Sequence, residues 1–265
     1  MEIAGYIASI FIGIALGLIG GGGSILTVPV LFYLFGVDAV SATAYSLFIV
    51  GLTSVVGSFS YFRNGLVNVK TAVIFGIPSI IAVFFTRAYI VPAIPKEVFT
   101  VDGFIVTKGI LMMLLFAVLM IAASYSMIKK DKKKPGESAG VQKFNYPLIL
   151  IEGAVVGLLT GLVGAGGGFL IIPALVILSK LPMKEAVGTS LVIIAAKSLI
   201  GFLGESSETV IQWPLLLSVS GFAIGGIILG TMLSKKIDGA KLKPAFGWFV
   251  LVMGIYIIIS ETLLK

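Results

Sequence analysis

Cysteine and histidine are both absent from this chain of 265 residues. Their absence excludes a disulfide framework, a Cys/His zinc site, a thiol nucleophile and a histidine acid or base. The carboxylates within the apolar segments are too few for an acid/base pair or a metal site. We therefore expect no catalytic residue, no metal, no cofactor and no enzyme activity.

Charge is also scarce. Only 12% of the residues are charged and 58% are hydrophobic, with a mean hydropathy of +1.14, whereas soluble domains carry about 25% charged residues. Long apolar runs separated by short polar loops predict an all-α, polytopic, multi-pass protein of the cell membrane, in contact with membrane lipid. The formal net charge of +7 comes mainly from loops, which is typical of a membrane topology signal and not of nucleic-acid binding.

The chain contains an internal repeat at an offset of 144 residues. The sequence GLIGGGGS at Gly17–Ser24 reappears as GLVGAGGG at Gly161–Gly168. Further matches at the same offset are Pro29 with Pro173, Ser46 with Ser190, Ser54 with Ser198, Gly57 with Gly201 and Asn68 with Gln212. Matched glycine, proline and serine are unlikely in unrelated apolar segments, so we predict two homologous halves, 1–130 and 147–265. The linker over 131–146 is too charged to enter lipid.

Each half contains one interrupted apolar run and three ordinary spans of about 20 residues. The runs cover 3–35 and 147–178, and the spans lie near 41–60, 71–90 and 107–128, then near 186–204, 213–234 and 244–262. A straight helix of about 33 residues would be about 50 Å long, which exceeds a hydrocarbon core of about 30 Å. A glycine cluster lets the chain turn, so we predict that each run is a glycine-broken helical hairpin.

The distribution of basic residues distinguishes two topologies. If each interrupted run crosses the membrane once, nine Lys and Arg residues lie on each side, which is unlike a membrane protein. If each run returns to its starting side, fourteen lie on one side and four on the other, with Lys197 inside a span. The second topology has an odd number of net crossings per half. We therefore predict two inverted-topology repeats, a cytoplasmic linker over 131–146 and both termini outside.

The two breaks form the predicted binding site. Inverted-repeat transporters bind substrate near the midplane where broken helices meet, and paired Gly/Pro interruptions indicate the place. Glycine amides and the positive end of a half-helix beginning near Ser24 or Phe169 suit an anion. The residues of the clusters predicted to bind substrate are Gly20, Gly21, Gly22, Gly23, Ser24, Gly164, Gly166, Gly167 and Gly168. Neither cluster is followed by Lys-Ser or Lys-Thr, which argues against a P-loop.

Five other glycines have a spacing typical of helix packing. Gly13 and Gly17 in the first half, and Gly153, Gly157 and Gly161 in the second, follow a small-xxx-small pattern. We interpret these five as positions where two helices approach closely.

The two clusters, each followed by a proline, and the Gly188–Leu191 stretch (GTSL) resemble the pattern of the TauE/SafE (sulfite exporter) family. The likeness covers most of the chain, and the doubled motif makes it specific. It implies a transporter of sulfite, of a small organosulfonate such as sulfoacetate, or of another small anion. The first half departs from the pattern, with Ala44-Tyr45-Ser46 in place of Gly188-Thr189-Ser190, and its loop 91–106 has no counterpart. The halves are therefore expected to contribute unequally.

Hydroxyl groups within the spans are further candidates. Ser46, Thr189 and Ser190 can donate hydrogen bonds to sulfonate oxygens. Such hydroxyls also commonly bond to a helix carbonyl or a neighbouring helix, which is the alternative interpretation.

Lys197 is the sharpest side-chain candidate. It lies near the middle of a span, where a charge costs about 2.5–3.5 kcal/mol or more and usually serves a site or an ion pair. Its repeat partner is Thr53, so symmetric packing does not require the charge. We predict that Lys197 binds the anion or gates its passage. The alternative is a structural cation that snorkels towards the membrane interface or pairs with Glu205 or Glu152.

These features predict a secondary transporter of a small inorganic or organic anion. The resemblance implies an exporter, with sulfite or a sulfonate as the substrate. Alternating access around the two breaks is the expected mechanism. An anion channel that uses the same breaks as a filter remains an alternative, as does a membrane subunit driven by a partner ATPase. The sequence leaves a monomer and a homodimer open.

Overall fold

A computed structural model describes residues 2–101, 104–128, 146–177, 179, 181–205, 211–234 and 239–263. The linker predicted over 131–146 lies almost wholly outside the described residues. In the first half the elements are α1 (Glu2–Ile19), a 3-10 turn (Gly21–Gly23), α2 (Ser24–Pro29) with a π turn (Val30–Leu34), α3 (Ala39–Arg63), α4 (Val69–Phe85) with a π turn (Thr86–Ile90), α5 (Val91–Ala93), β1 (Glu97–Val101), β2 (Phe104–Thr107) and α6 (Lys108–Ile128). In the second half they are α7 (Tyr146–Val163), α8 (Gly168–Ile177), α9 (Met183–Leu203), α10 (Trp213–Leu233) and α11 (Gly239–Leu263).

Helices occupy the segments of the predicted spans, and both long apolar runs are interrupted at their glycine clusters. Of the described segments, 5 are long and apolar enough to cross a membrane. These are 39–63, 69–93, 108–125, 183–203 and 213–233. The apolar parts of α1, α2 with its π turn, α7 and α11 are shorter.

The first interrupted run folds back on itself. The Phe35 ring at its end lies 5.3 Å, centroid to centroid, from the Tyr6 ring at its beginning. The position a Cβ would take on Gly5 is 2.6 Å from Cε2 of the same phenylalanine. The two ends of the run therefore lie side by side, as expected for a hairpin.

Each half packs its helices against the other half. α1 contacts α10 and α4 contacts α7, while α3 contacts α9 and α6 contacts α11. Each pair therefore joins an element of one half to an element of the other. α3 and α9 are the most buried of these helices, since 67% of the apolar 18-residue stretch of each is buried, against 33% for that of 69–93.

The glycines with small-xxx-small spacing do lie at helix contacts. The position a Cβ would take on Gly17 is 2.7 Å from the carbonyl oxygen of Ile227 in α10, and on Gly153 it is 2.6 Å from that of Phe75 in α4. Side chains at these points would force the paired helices apart, which confirms the packing interpretation.

The expectation of an all-α chain needs one correction. The inserted loop between α4 and α6 contains a two-stranded antiparallel sheet, in which Thr100 pairs with Ile105. The strands are rich in Val, Phe and Thr, which favour extended backbone. The pair lies outside the candidate membrane spans, so it leaves the helical membrane part unchanged.

Candidate functional site

The two breaks begin with the same left-handed turn. Gly20 has φ of +76° and Gly164, its repeat partner, has φ of +74°. Other residues rarely adopt this left-handed conformation. The amides of both glycines donate to the carbonyl four residues earlier, each at 2.8 Å. Both long helices therefore end in the same turn. The breaks differ after it, because Gly166 and Gly167 also have positive φ, of +62° and +69°, whereas Gly21–Gly23 form a 3-10 turn.

The breaks contact each other through glycine backbone. A Cβ on Gly21 would overlap the Cα and carbonyl carbon of Gly168, and a Cβ on Gly168 would overlap the Cα of Gly21. α2 begins three residues after Gly21, and α8 begins at Gly168 itself. The N-terminal ends of the two half-helices therefore lie next to each other.

The second break carries buried amides without a backbone partner. Among the hydrogen bonds of the described residues outside helices and strands, none starts from the amide of Ala165, Gly166 or Gly167. All three residues are buried. Since more than about 90% of buried amides in proteins are paired, these three are candidates to bind an added acceptor.

Lys197 is fully buried beside this break. Its side chain is 0% exposed, and Nζ donates a hydrogen bond of 3.1 Å to the Thr160 hydroxyl of α7. Nζ lies 2.6 Å from the position a Cβ would take on Gly167, so the Lys197 side chain ends against the backbone of the second break. Within the described residues, no carboxylate forms an ion pair with Lys197, and Glu205 pairs with Arg87 instead.

Several predicted hydroxyls accompany the breaks. Ser24 is buried and donates to the Gly21 carbonyl at 2.6 Å. Ser190 donates to the Val187 carbonyl at 2.8 Å, and its Oγ lies 3.0 Å from the position a Cβ would take on Gly20. The Ser46 hydroxyl is buried with no hydrogen-bond partner in the described part of the chain.

Thr189 is placed differently. Its hydroxyl accepts a hydrogen bond of 2.9 Å from the amide of Asn68, the residue that caps α4. At the equivalent place in the other half, the Tyr45 hydroxyl accepts one of 2.7 Å from the amide of Gln212, which caps α10. In the first half, Tyr45 therefore accepts the hydrogen bond that Thr189 accepts in the second. This explains why the first half departs from the repeated motif at this position. The hydrogen bond gives Thr189 a role at the start of α4.

Sequence reasoning missed two polar residues of this region. The Thr160 hydroxyl accepts a hydrogen bond from Lys197. Its repeat partner is Leu16, so a polar residue where the other half has an apolar one indicates this site in the sequence. Arg87 was counted as a loop cation, although its side chain is 0% exposed and pairs with Glu205. No group of carboxylates among the described residues can hold a metal ion.

Comparison with known proteins gives consistent matches over nearly the whole chain. The family described as "Sulfite exporter TauE/SafE" matches residues 6–257. A "Probable membrane transporter protein" of Xylella fastidiosa strain 9a5c is 30% identical over 267 residues, covering 93% of this chain and 91% of that protein. "Probable membrane transporter protein YdhB" of Bacillus subtilis is 28% identical over 234 residues, covering 88% and 91%. No solved structure matches this chain.

Proposed function

Because the chain belongs to the TauE/SafE family of sulfite exporters and is a membrane transporter of that type, we propose that it exports a small sulfur oxyanion. Sulfite or a small organosulfonate is the substrate class, and alternating access around the two breaks is the mechanism. The family and the names of the relatives indicate membrane transporters and not enzymes. Transport of another small organic anion, or conduction through an anion channel, is the alternative.

The single observation that carries the proposal is a fully buried lysine beside the breaks that has no carboxylate partner among the described residues. Lys197 is buried there with a hydroxyl as its hydrogen-bond partner and no carboxylate paired with it among the described residues. A charge inside a membrane protein usually pairs with another charge or marks a substrate pathway. A bound oxyanion would supply the missing negative charge.

The backbone around Lys197 suits the same ligand. The amides of Ala165, Gly166 and Gly167 are donors with no backbone acceptor among the described residues, and α8 begins directly after them. Amides at the N-terminal end of a helix bind anions because both the N–H groups and the helix dipole are favourable. An oxyanion has several acceptor atoms and can bind the ammonium and the amides together.

Contacts along α3 support the inverted repeat. Near the end of α1, the Gly17 carbonyl accepts a hydrogen bond from Tyr61. Past the end of α7, Gly164 packs against Thr43. Thr43 and Tyr61 are separated by about 27 Å along one helix at 1.5 Å per residue. α1 and α7 thus end near opposite ends of α3, as expected if the second half is inverted relative to the first.

Reconstitution into liposomes with labelled sulfite and sulfoacetate tests the function. We expect saturable flux that responds to an ion gradient; flux that does not saturate would favour a channel. Lys197→Gln should lower flux at least about tenfold, since losing a buried charge contact costs roughly 2–5 kcal/mol and 1.4 kcal/mol is a factor of ten. Lys184→Gln is the matched control, because Lys184 is exposed on the same helix. Wild-type protein that moves none of these anions would refute the proposal.

The topology has its own test. A cysteine placed at Ser138 should be accessible from the cytoplasm and one at Ser207 from outside; both positions lie outside the described residues. The chain has no native cysteine, so labelling would report only the introduced thiol. Both cysteines labelled from the same side would contradict the inverted arrangement.

A further inference from the structure

A second buried cation lies near the C-terminal end of α9. The Arg87 side chain is 0% exposed, and its Nη1 donates a hydrogen bond of 3.1 Å to Oε2 of Glu205. Its Nε and Nη2 are buried with no hydrogen-bond partner in the described part of the chain. A guanidinium group has five N–H donors in a planar fork, and buried donors left unpaired are costly. The pair with Glu205 therefore satisfies only part of the binding capacity of Arg87.

This cation lies in line with Lys197. Glu205 follows Lys197 by eight residues, which is about 12 Å, or two turns, along a helix. Gly201 stands between them on the same face of α9. The position a Cβ would take on Gly201 is 3.0 Å from Val83 of α4 and 3.5 Å from Leu47 of α3. Val83 and Leu47 thus form an apolar layer against the stretch of α9 between Lys197 and Glu205.

Packing of the helix ends does not require the charged pair. The repeat partner of Glu205 is Tyr61, whose hydroxyl donates to the Gly17 carbonyl at 3.1 Å and lies 3.3 Å from the Ser234 hydroxyl. The repeat partner of Arg87 is Thr231. The same junction between halves is therefore closed by neutral hydrogen bonds at one end and by an ion pair at the other.

We propose that Arg87 is a second oxyanion-binding site on the transport path, and that the Glu205 carboxylate occupies it until a substrate anion displaces it. The inference rests on the proposed function. It adds a second anion site at Arg87, which is closed when Glu205 is bound there and open when the anion has displaced Glu205. A carboxylate and a sulfite or sulfonate group present similar pairs of oxygens to a guanidinium fork. The anion would exchange between Lys197 and Arg87 when the Val83–Leu47 layer parts.

Thermal unfolding of the full chain in detergent, with increasing sulfite or sulfoacetate, tests this site, because a ligand that binds the native state raises the melting temperature by mass action. Glu205→Gln removes the competing carboxylate and should lower the anion concentration for half-maximal stabilisation at least tenfold. The neutral double variant Arg87→Gln/Glu205→Gln should not show this lowering of the half-maximal concentration. Lys96→Gln, which removes an exposed cation from the same end of α4 and its extension, should match the wild type.

Two further variants keep the test decisive. If Glu205→Gln does not fold, Glu205→Asp shortens the carboxylate arm and should shift the half-maximal concentration in the same direction. Arg87→Lys in the Glu205→Gln background keeps the charge and removes the fork, so it should bind the anion more weakly than Glu205→Gln alone.

The outcomes separate the two proposals. Wild-type protein that neither transports nor is stabilised by any of these anions would refute the proposed function. Wild-type protein that transports sulfite, together with Glu205→Gln or Glu205→Asp variants whose half-maximal concentrations equal the wild type, would overturn the Arg87 site alone. A gain that persists in the double variant would also overturn it.

Discussion

Replacing Gly21 with alanine tests the contact between the two breaks. The added Cβ would overlap the backbone of Gly168, and a backbone cannot rotate away as a flexible side chain can. The breaks would have to part by more than about 1 Å to restore an ordinary carbon–carbon contact of about 3.5–4.0 Å. Overpacking ordinarily costs about 1–3 kcal/mol. We expect the upper part of that range, because the chain must move on both sides of the contact.

Thermal unfolding in detergent measures this cost. A loss of about 3 kcal/mol corresponds to a fall in melting temperature of roughly 6–12 °C for a chain of this size. Gly168→Ala should cause a similar fall, and the double variant should fall by less than the sum, since the residues share one contact. Gly221→Ala is the control: it lies within α10 with no atom within 4 Å of the added Cβ, so stability should hold or rise. A Gly21→Ala protein with the same melting temperature as the wild type would refute the contact between Gly21 and Gly168.

Two further predictions concern matched positions of the halves. Thr189→Val removes the acceptor of an amide at the start of α4, and Tyr45→Phe does the same at the start of α10; each should lower the free energy of unfolding by about 1–3 kcal/mol, measured by denaturant unfolding. Gly20→Ala should lose more stability than Gly36→Ala, because both have φ near +70° but only Gly20 has neighbours that crowd a Cβ, namely Ile172 and others within about 3 Å. Equal losses would mean that the positive φ alone sets the loss of stability, and that crowding of the added Cβ contributes nothing.

The positions of the breaks were predictable because glycine carries a local signal. Each cluster stands in the middle of an apolar run too long for one straight span, and the left-handed turns occur at Gly20 and Gly164, the first glycine of each cluster. The contact between the clusters was predictable only through the repeat. No local pattern indicates that Gly21 packs against Gly168; this follows from how the two halves pack together.

The small sheet was missed although a signal for it was present. Asp102-Gly103, which lies outside the described residues, stands between two short runs rich in Val, Phe and Thr. Asp-Gly between such runs is a strong hairpin pattern. The pattern is short beside the apolar spans that flank it, and the repeat gives no support for it, because the second half has no counterpart of this loop.

Arg87 could not be placed from sequence, because its burial depends on a residue 118 positions away. Its neighbours Thr86 and Ala88 are unremarkable, and a cation near the end of a span is normally exposed to water. Its partner Glu205 lies just past the end of α9, where a carboxylate is equally expected to be solvated. Removing Arg87 from the loop count leaves fewer basic residues on that side, so its burial strengthens the charge bias that favours the inverted topology.

The fold combines a repeated turn with unrepeated charge. The turns at Gly20 and Gly164 are alike to within a few degrees. Lys197, in contrast, stands where the other half has Thr53, and Glu205 stands where it has Tyr61. If, as proposed, the two access states exchange the conformations of the halves, the charges have different surroundings in the two states. Under that proposal we expect an anion to bind with different affinity from the two sides, because only one of the two related junctions in the described part of the chain carries an ion pair.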